Sequence, residues 1–500
     1  MIVFNQLGGY LNMKKKGISK SVRALLGLSL AAAFVLAGCS SSGKDAASSA
    51  PSASASSSGQ AAVKVEGPNV YGIQLQDMDA GGTLKGQYAG KKIVVATMAG
   101  DTEKALKDAA VYFEKASGAK VEVQSFPAQS YMEKIQLDLQ TNHSFDSIVM
   151  PVALIHGYAE GGLVQDLKPY IDNKALVSPN LDLGDYIPSL LDIYGNYKSK
   201  LVAFPYKPDV QIFFYRKDLF EDPKIKESFK AKTGKELKVP ETAEEMGETA
   251  AFFTKSLNPD SPVTYGYSTM ADNTSSRWIW TNRLAAFGGR DVDKDFKPAF
   301  NNEAGLKALE FAKELTKYAP KQLLTLGWDE ANTLFANGEV AMMEQWPGLI
   351  QTAEADTSKV KGKVGYAVTP GGAPTMGGWS IAMTSSTENP DLTYKFMEYV
   401  TSKDLEVLKV QDKMDPTRTS NYMRPELQKQ FPMYQTLLDS LTKGKIMADP
   451  DVPYVSPRLN DIMEQAVQSV LRGTMEPQKA LDIMEKSFTE VIADAGIKNE

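Results

Sequence analysis

From Lys92 onward the chain alternates short apolar runs with amphipathic stretches, and that alternation leaves few folds open to it. Residues 93–98 form an apolar run ending on Ala99, Gly100 and Asp101. Residues 102–116 then carry Leu106, Ala109, Ala110 and Phe113 at helical spacing, with Gly118 as a stop. Residues 120–126 alternate as a strand, 131–141 read as a helix, and 146–150 read as a third strand. Strands separated by helices predict an α/β chain built on a parallel sheet, with ligand sites at the carboxyl ends of the strands. Asp101 stands at such an end.

The pattern continues downstream. In 201–220 an apolar strand, 210–215, follows Pro205 and Pro208, which stiffen its approach. Helix 242–256, strand 264–268, a helix from 275 to 287 closed by Gly288 and Gly289, and helix 302–318 come next. Helix 328–337 turns at Gly338 into strand 339–343, which runs into Glu344, Gln345, Trp346, Pro347 and Gly348. Strand 364–368 is followed by Gly377, Gly378 and Trp379, which open strand 380–384, and Asn389 is expected to cap a helix with Pro390 in its first position. Beyond Asp415-Pro416-Thr417-Arg418 the chain reads as helical over 434–443, 457–471 and 477–495. There is no internal repeat.

Ahead of the folded part lies an export signal, 1–38. Lys14, Lys15, Lys16, Lys20 and Arg23 precede an apolar run, 25–35, that is too short for a resident membrane helix, which needs roughly 20 residues. Met13 is the expected start. The segment Leu36-Ala37-Gly38-Cys39 resembles the lipobox of bacterial lipoproteins, which implies cleavage before Cys39, the one cysteine in the chain, and a diacylglyceryl group on its thiol. An ordinary signal-peptidase site is the alternative. Ser, Ala and Gly then dominate up to Ala62, a tract that cannot bury enough to fold, so 39–90 is expected to be a lipidated tether with a disordered or loosely docked extension. Removing the signal takes away five basic residues and no acidic ones, moving the net charge from −6 to −11. That balance argues against nucleic acid and against a basic membrane-binding patch, so attachment to the cell membrane falls to the lipid.

Three segments, 205–220, 335–348 (Phe-Ala-Asn-Gly-Glu-Val-Ala-Met-Met-Glu-Gln-Trp-Pro-Gly) and 377–383 (Gly-Gly-Trp-Ser-Ile-Ala-Met), resemble the family 1 extracellular solute-binding proteins, the sugar receptors of ABC importers. The resemblance covers roughly 91–500. It implies a type II two-lobed fold with interleaved lobes: 91–205 with 366–430 as one lobe, 206–213 as the first hinge crossing, and 214–360 with 434–495 as the other. It further implies a monomer outside the cell membrane that captures a carbohydrate between its lobes and hands it to the importer's transmembrane permease, with no cofactor, no metal and no enzymatic step.

Sugars present flat CH faces that stack on aromatic rings and hydroxyls that need directed partners, so the binding candidates combine both. All five tryptophans lie in the second half of the chain. Trp346 and Trp379 sit at strand ends beside Gly or Pro, as cleft or as packing residues. Trp278 and Trp280, two apart on a helix, cannot share a face, and Trp278 is the candidate. Trp328, followed by helical spacing, is expected in the core. By resemblance, Asp101 is a sugar-hydroxyl acceptor or else a helix N-cap, and Asp209 is a cleft carboxylate. On the same ground Arg418 reaches the site from a late Pro-then-Arg loop or makes a surface salt bridge, Tyr454 is a late stacking aromatic, and Gln345 completes the set.

A secreted glycoside hydrolase or lyase would also carry aromatics and carboxylates. No nucleophile elbow, Walker loop or Cys cluster is present, and the two histidines, His143 and His156, are too far apart for a zinc helix motif. A receptor of the same fold for a peptide, polyamine or iron is the third reading.

Overall fold

The computed structural model describes residues 65–497 except 449 and 451. The export signal, Cys39 and the Ser/Ala tract lie outside the described residues. Two separate sheets organise the rest. In the first, Lys92–Met98 pairs in parallel with both Lys120–Phe126 and Ser147–Pro151, and the intervening helices Asp101–Ser117 and Ala128–Gln140 make the crossovers such pairing requires. Asp101–Ser117 buries Leu106, Ala109, Ala110 and Phe113, and Phe113 meets Phe396 edge-on at 5.1 Å. The spacing of apolar residues read from the sequence is therefore the face that packs.

Thr375–Met383 closes the same sheet. It runs antiparallel to Ser147–Pro151 and to Phe204–Val210, and because Trp379, Ser380 and Ile381 pair with both, those two strands flank it on opposite edges. The second sheet has the order Tyr265–Ser268, Val340–Gln345, Ile212–Arg216, Val364–Ala367. Its strand Val340–Gln345 is buried along its whole length. Glu344 on that strand takes an ion pair from Arg283 and a hydrogen bond from the Tyr267 hydroxyl at 3.0 Å, so the buried charge is matched on both sides.

The chain passes between the sheets at Gln211, the single residue separating Phe204–Val210 from Ile212–Arg216, and returns through 368–374 to Thr375. The two passages touch, since the Gln211 N–H donates to the Thr375 carbonyl at 2.9 Å. Asn282, on the helix Arg277–Ala286, holds both: its Nδ2 donates to Gln211 Oε1 at 2.7 Å and its Oδ1 accepts the Thr375 N–H at 2.8 Å. Two sheets joined by narrow crossings form an α/β chain of two lobes.

Two expectations are corrected and one open choice is narrowed. Residues 434–448 stay with the first sheet instead of the second, because Met447–Ala448 pairs in parallel with Thr375 and Met376, and the Ser189 hydroxyl donates to Leu441 of the helix Tyr434–Lys443 at 2.7 Å. The chain leaves for the other lobe only before the helix Ser456–Leu471. The stretch before Lys92 is docked: Val70, Leu75, Met78, Leu84 and Tyr88 are buried, Asp404 accepts the N–H groups of Gln76 and Asp77, and the Tyr399 hydroxyl donates to Met78. Its apolar residues follow neither a helical nor a strand period, which is why pattern reading missed them. Finally, Asn389 spends its side chain on the Lys92 carbonyl and makes no side-chain cap. Among the described residues no helix is long and apolar enough to cross a membrane.

Candidate functional site

A cavity of 770 Å³ opens where the two crossings leave the sheets, and residues from both sheets' elements line it. Its polar end is built on Phe204–Val210. Side chains two apart on a strand face the same way, and Lys207 and Asp209 are the two positions of that strand that are not fully buried. Lys207 Nζ stands 3.5 Å from Asp209 Oδ2. Asp415 and Asp101 complete the polar end. Burial lifts the Asp209 carboxyl above the usual carboxylate range, against the pull of Lys207. Burial, reinforced by the charge of Asp209, pushes Asp415 up to about 7. Lys207 in turn is held above its ordinary value, first by Asp209 and then by Asp415 and Asp101.

Asp101 is the first residue of its helix, with Gly100 in the cap position, and its side chain makes no capping bond. It faces the cavity instead. The rings of Trp278, Trp328, Trp346 and Trp379 line the same cavity, Trp379 as the cross-strand neighbour of Lys207. Trp278 and Trp346 meet edge to face, with centroids 5.0 Å apart at 86°. Trp278 is held by its neighbours: the Arg277 guanidinium lies 4.6 Å from its ring, and Glu464 accepts the Ser276 and Arg277 N–H groups, fixing the start of the helix Arg277–Ala286. Trp346 follows the buried strand Val340–Gln345, and Gln345 turns back to accept its N–H at 3.0 Å while donating to Asn332 at 3.0 Å. Gln345 is therefore a buried positioning residue behind Trp346 and does not line the cavity.

Two adjacent glycines make room for this arrangement. A Cβ at Gly377 would stand 3.2 Å from the Trp346 ring, so the missing side chain lets that ring lie against the strand of the other sheet. Gly378 has φ +107°, and a Cβ there would fall 2.4 Å from the Tyr194 hydroxyl and 2.5 Å from the Lys207 carbonyl. Immediately after it the pairing with Phe204–Val210 shifts register between Trp379 and Ser380, an irregularity that re-aims Trp379.

Of the residues singled out from sequence, Asp101, Asp209, Trp278, Trp346 and Trp379 come together on this cavity. Arg418 does not. It is 1% exposed, donates to the carbonyls of Thr401 and Asp182, and lies 4.0 Å over the Tyr186 ring. The loop instead reaches the cavity through Asp415, which no sequence signal marked. Tyr454, 61% exposed with φ +67°, lines a different cavity of 430 Å³ with His156, Glu160 and Tyr197. Trp328, expected in the core, lines the main cavity because it starts its helix, where a ring can project past the helix end. Lys207 was also missed, although its two-residue spacing from Asp209 could have revealed it. Among the described residues no group of three or more His, Cys, Asp or Glu side chains is placed to hold a metal ion.

The sequence pattern of the family described as bacterial extracellular solute-binding protein matches residues 97–406. A probable amino-acid ABC transporter periplasmic-binding protein of Sinorhizobium fredii is 26% identical over 420 residues, covering 82% of this chain and 91% of that one. A mannitol-binding protein of Pseudomonas aeruginosa is 28% identical over 354 residues, covering 63% and 74%. The crystal structure of an ABC transporter solute-binding protein of Agrobacterium radiobacter in complex with ribitol superposes with a TM-score of 0.66 at 26% identity, over 81% of this chain and 99% of that one.

Proposed function

Because the chain belongs to the bacterial extracellular solute-binding protein family, we propose that its cavity captures a carbohydrate or sugar alcohol and delivers it to the permease of an ABC importer. The observation that carries this reading is the pairing, in one cavity, of the edge-to-face Trp278 and Trp346 with the Lys207, Asp209 and Asp415 cluster. Rings take the CH faces of a sugar, and the charged groups take its hydroxyls with charge-assisted bonds. The mannitol- and ribitol-binding relatives support this ligand class.

The lobes divide as 65–210 with 375–448 and 212–367 with 456–495, the first extended by the docked segment and by the strand Met447–Ala448. Sugar held between Trp379 and Asp209 on one side and Trp278 and Trp346 on the other stabilises the shut form, since a ligand shifts the equilibrium only by its differential affinity for the two states. The chain acts without turnover. Energy comes from the importer's ATPase, because this sequence has no Walker loop. Cys39 carries the lipid that keeps the receptor on the outer face of the cell membrane, and Cys39→Ala should release the protein or leave it unprocessed, as read by membrane fractionation.

A thermal-shift screen of sugars, sugar alcohols and amino acids, with chromatography of the recovered ligand, tests the reading. A shift with a sugar returned intact is expected. A shift with amino acids alone overturns the ligand class, and consumed sugar reinstates a hydrolase built on Asp209 and Asp415.

A further inference from the structure

We propose that the cavity continues into an aromatic annex, capped by Tyr71 of the N-terminal hairpin, that takes a second sugar unit linked to the first and so selects for oligosaccharides. The inference rests on the carbohydrate reading above and adds the length of ligand. The annex has a volume of 260 Å³ and shares Gly348, Gln351, Lys413 and Asp415 with the main cavity, so the two spaces meet along a common wall. Beyond those shared residues its lining is mostly apolar, with Tyr71, Phe431, Met433, Tyr434, Pro347 and Ile350 beside the polar Gln411. Phe431 and Tyr434 stack with centroids 5.0 Å apart at 19°, and Tyr71 stands edge-on to Phe431 at 5.5 Å and 89°. Tyr434 is buried behind Phe431, so the half-exposed Tyr71 is the ring that a ligand reaching past Asp415 would meet first.

Tyr71 comes from a segment whose fold is its own. The strands Asn69–Val70 and Ile73–Gln74 pair antiparallel, and Tyr71 with Gly72 makes the turn between them. Tyr71 adopts φ +53°, a conformation costly for an aromatic residue, and the Gly72 N–H is held by Asn69 Oδ1 at 3.1 Å. Val70 and Leu75 are buried beneath the hairpin, and Asp404 clamps the chain directly after it. The Tyr71 ring, 38% exposed at the tip of this clamped turn, packs edge-on against Phe431 and lines the annex.

Calorimetry on the full chain tests this with glucose, maltose and maltotriose; glucose, cellobiose and cellotriose; and mannose, mannobiose and mannotriose. In a series that binds, affinity should rise about tenfold from one unit to two. Tyr71→Ala should remove most of that rise and leave single-unit affinity unchanged, which also reports an intact fold. Tyr71→Phe, which keeps the ring, should retain the rise. An equal loss for one and two units, no loss at all, or wild type that prefers single units overturns the annex while the receptor stands. Absence of binding by every probe overturns the annex and leaves the receptor to be decided by the thermal-shift screen.

Discussion

Asn282→Ala should weaken the junction between the lobes more than its size suggests. Asn282 is 1% exposed, and its one amide satisfies Gln211 Oε1 and the Thr375 N–H, groups that belong to the two separate passages between the sheets. Truncation leaves a buried acceptor and a buried donor without partners, each costing about 1–3 kcal/mol. A water entering the space recovers part of this, so the net loss is about 3 kcal/mol. For lobes of this size that lowers the melting temperature by roughly 6–12 °C. Scanning calorimetry on the wild type, on Asn282→Ala and on the exposed control Asn273→Ala measures it. Gln211 and Asn282 share one bond, so adding Gln211→Ala to Asn282→Ala should cost clearly less than the sum of the single changes. Loosened passages must also be ordered when the lobes close, so sugar affinity should fall alongside stability. A melting temperature within about 1 °C of the control, or full additivity with Gln211→Ala, would refute the view that this amide ties the crossings together.

Trp346→Ala should weaken sugar binding by about 1–3 kcal/mol in titration calorimetry, because it removes both a stacking face and the edge support of Trp278, while the fold stays near intact. Gly378→Ala should cost more than about 2 kcal/mol in chemical denaturation, since the added carbon collides with the Tyr194 hydroxyl and the Lys207 carbonyl in a backbone conformation that suits glycine. Asp415 titrates near 7 in the fold against 3.8 in the open chain, so the fold favours its protonated form. The stability this contributes is complete below pH 3.8 and is lost as pH rises through 7. Asp415→Asn should therefore flatten that stretch of the melting-temperature profile and be more stable than wild type at alkaline pH.

The sequence by itself determined the order of elements, because a strand or a helix announces itself through a local period that survives whatever it packs against. Leu106, Ala109, Ala110 and Phe113 form the buried face their spacing implied, and the alternation around 120–126 is a parallel strand. It also carried the part of the site that depends on local backbone, Trp346 and Trp379 beside Pro347, Gly377 and Gly378, while Asp209 came from the family resemblance and not from the strand expected over 210–215. The tertiary structure decided the rest. Trp328 faces the cavity and Arg418 the core, although nothing nearby in the chain distinguishes them, because the wall each one meets comes from residues far away in sequence. The docking of 65–90 was hidden for the same reason: its buried side chains follow no repeat of their own, and the groups that hold it, Asp404 and Tyr399, lie far away in sequence. Local periodicity fixes which way a side chain leaves its own element, and only the assembled lobes fix what stands there.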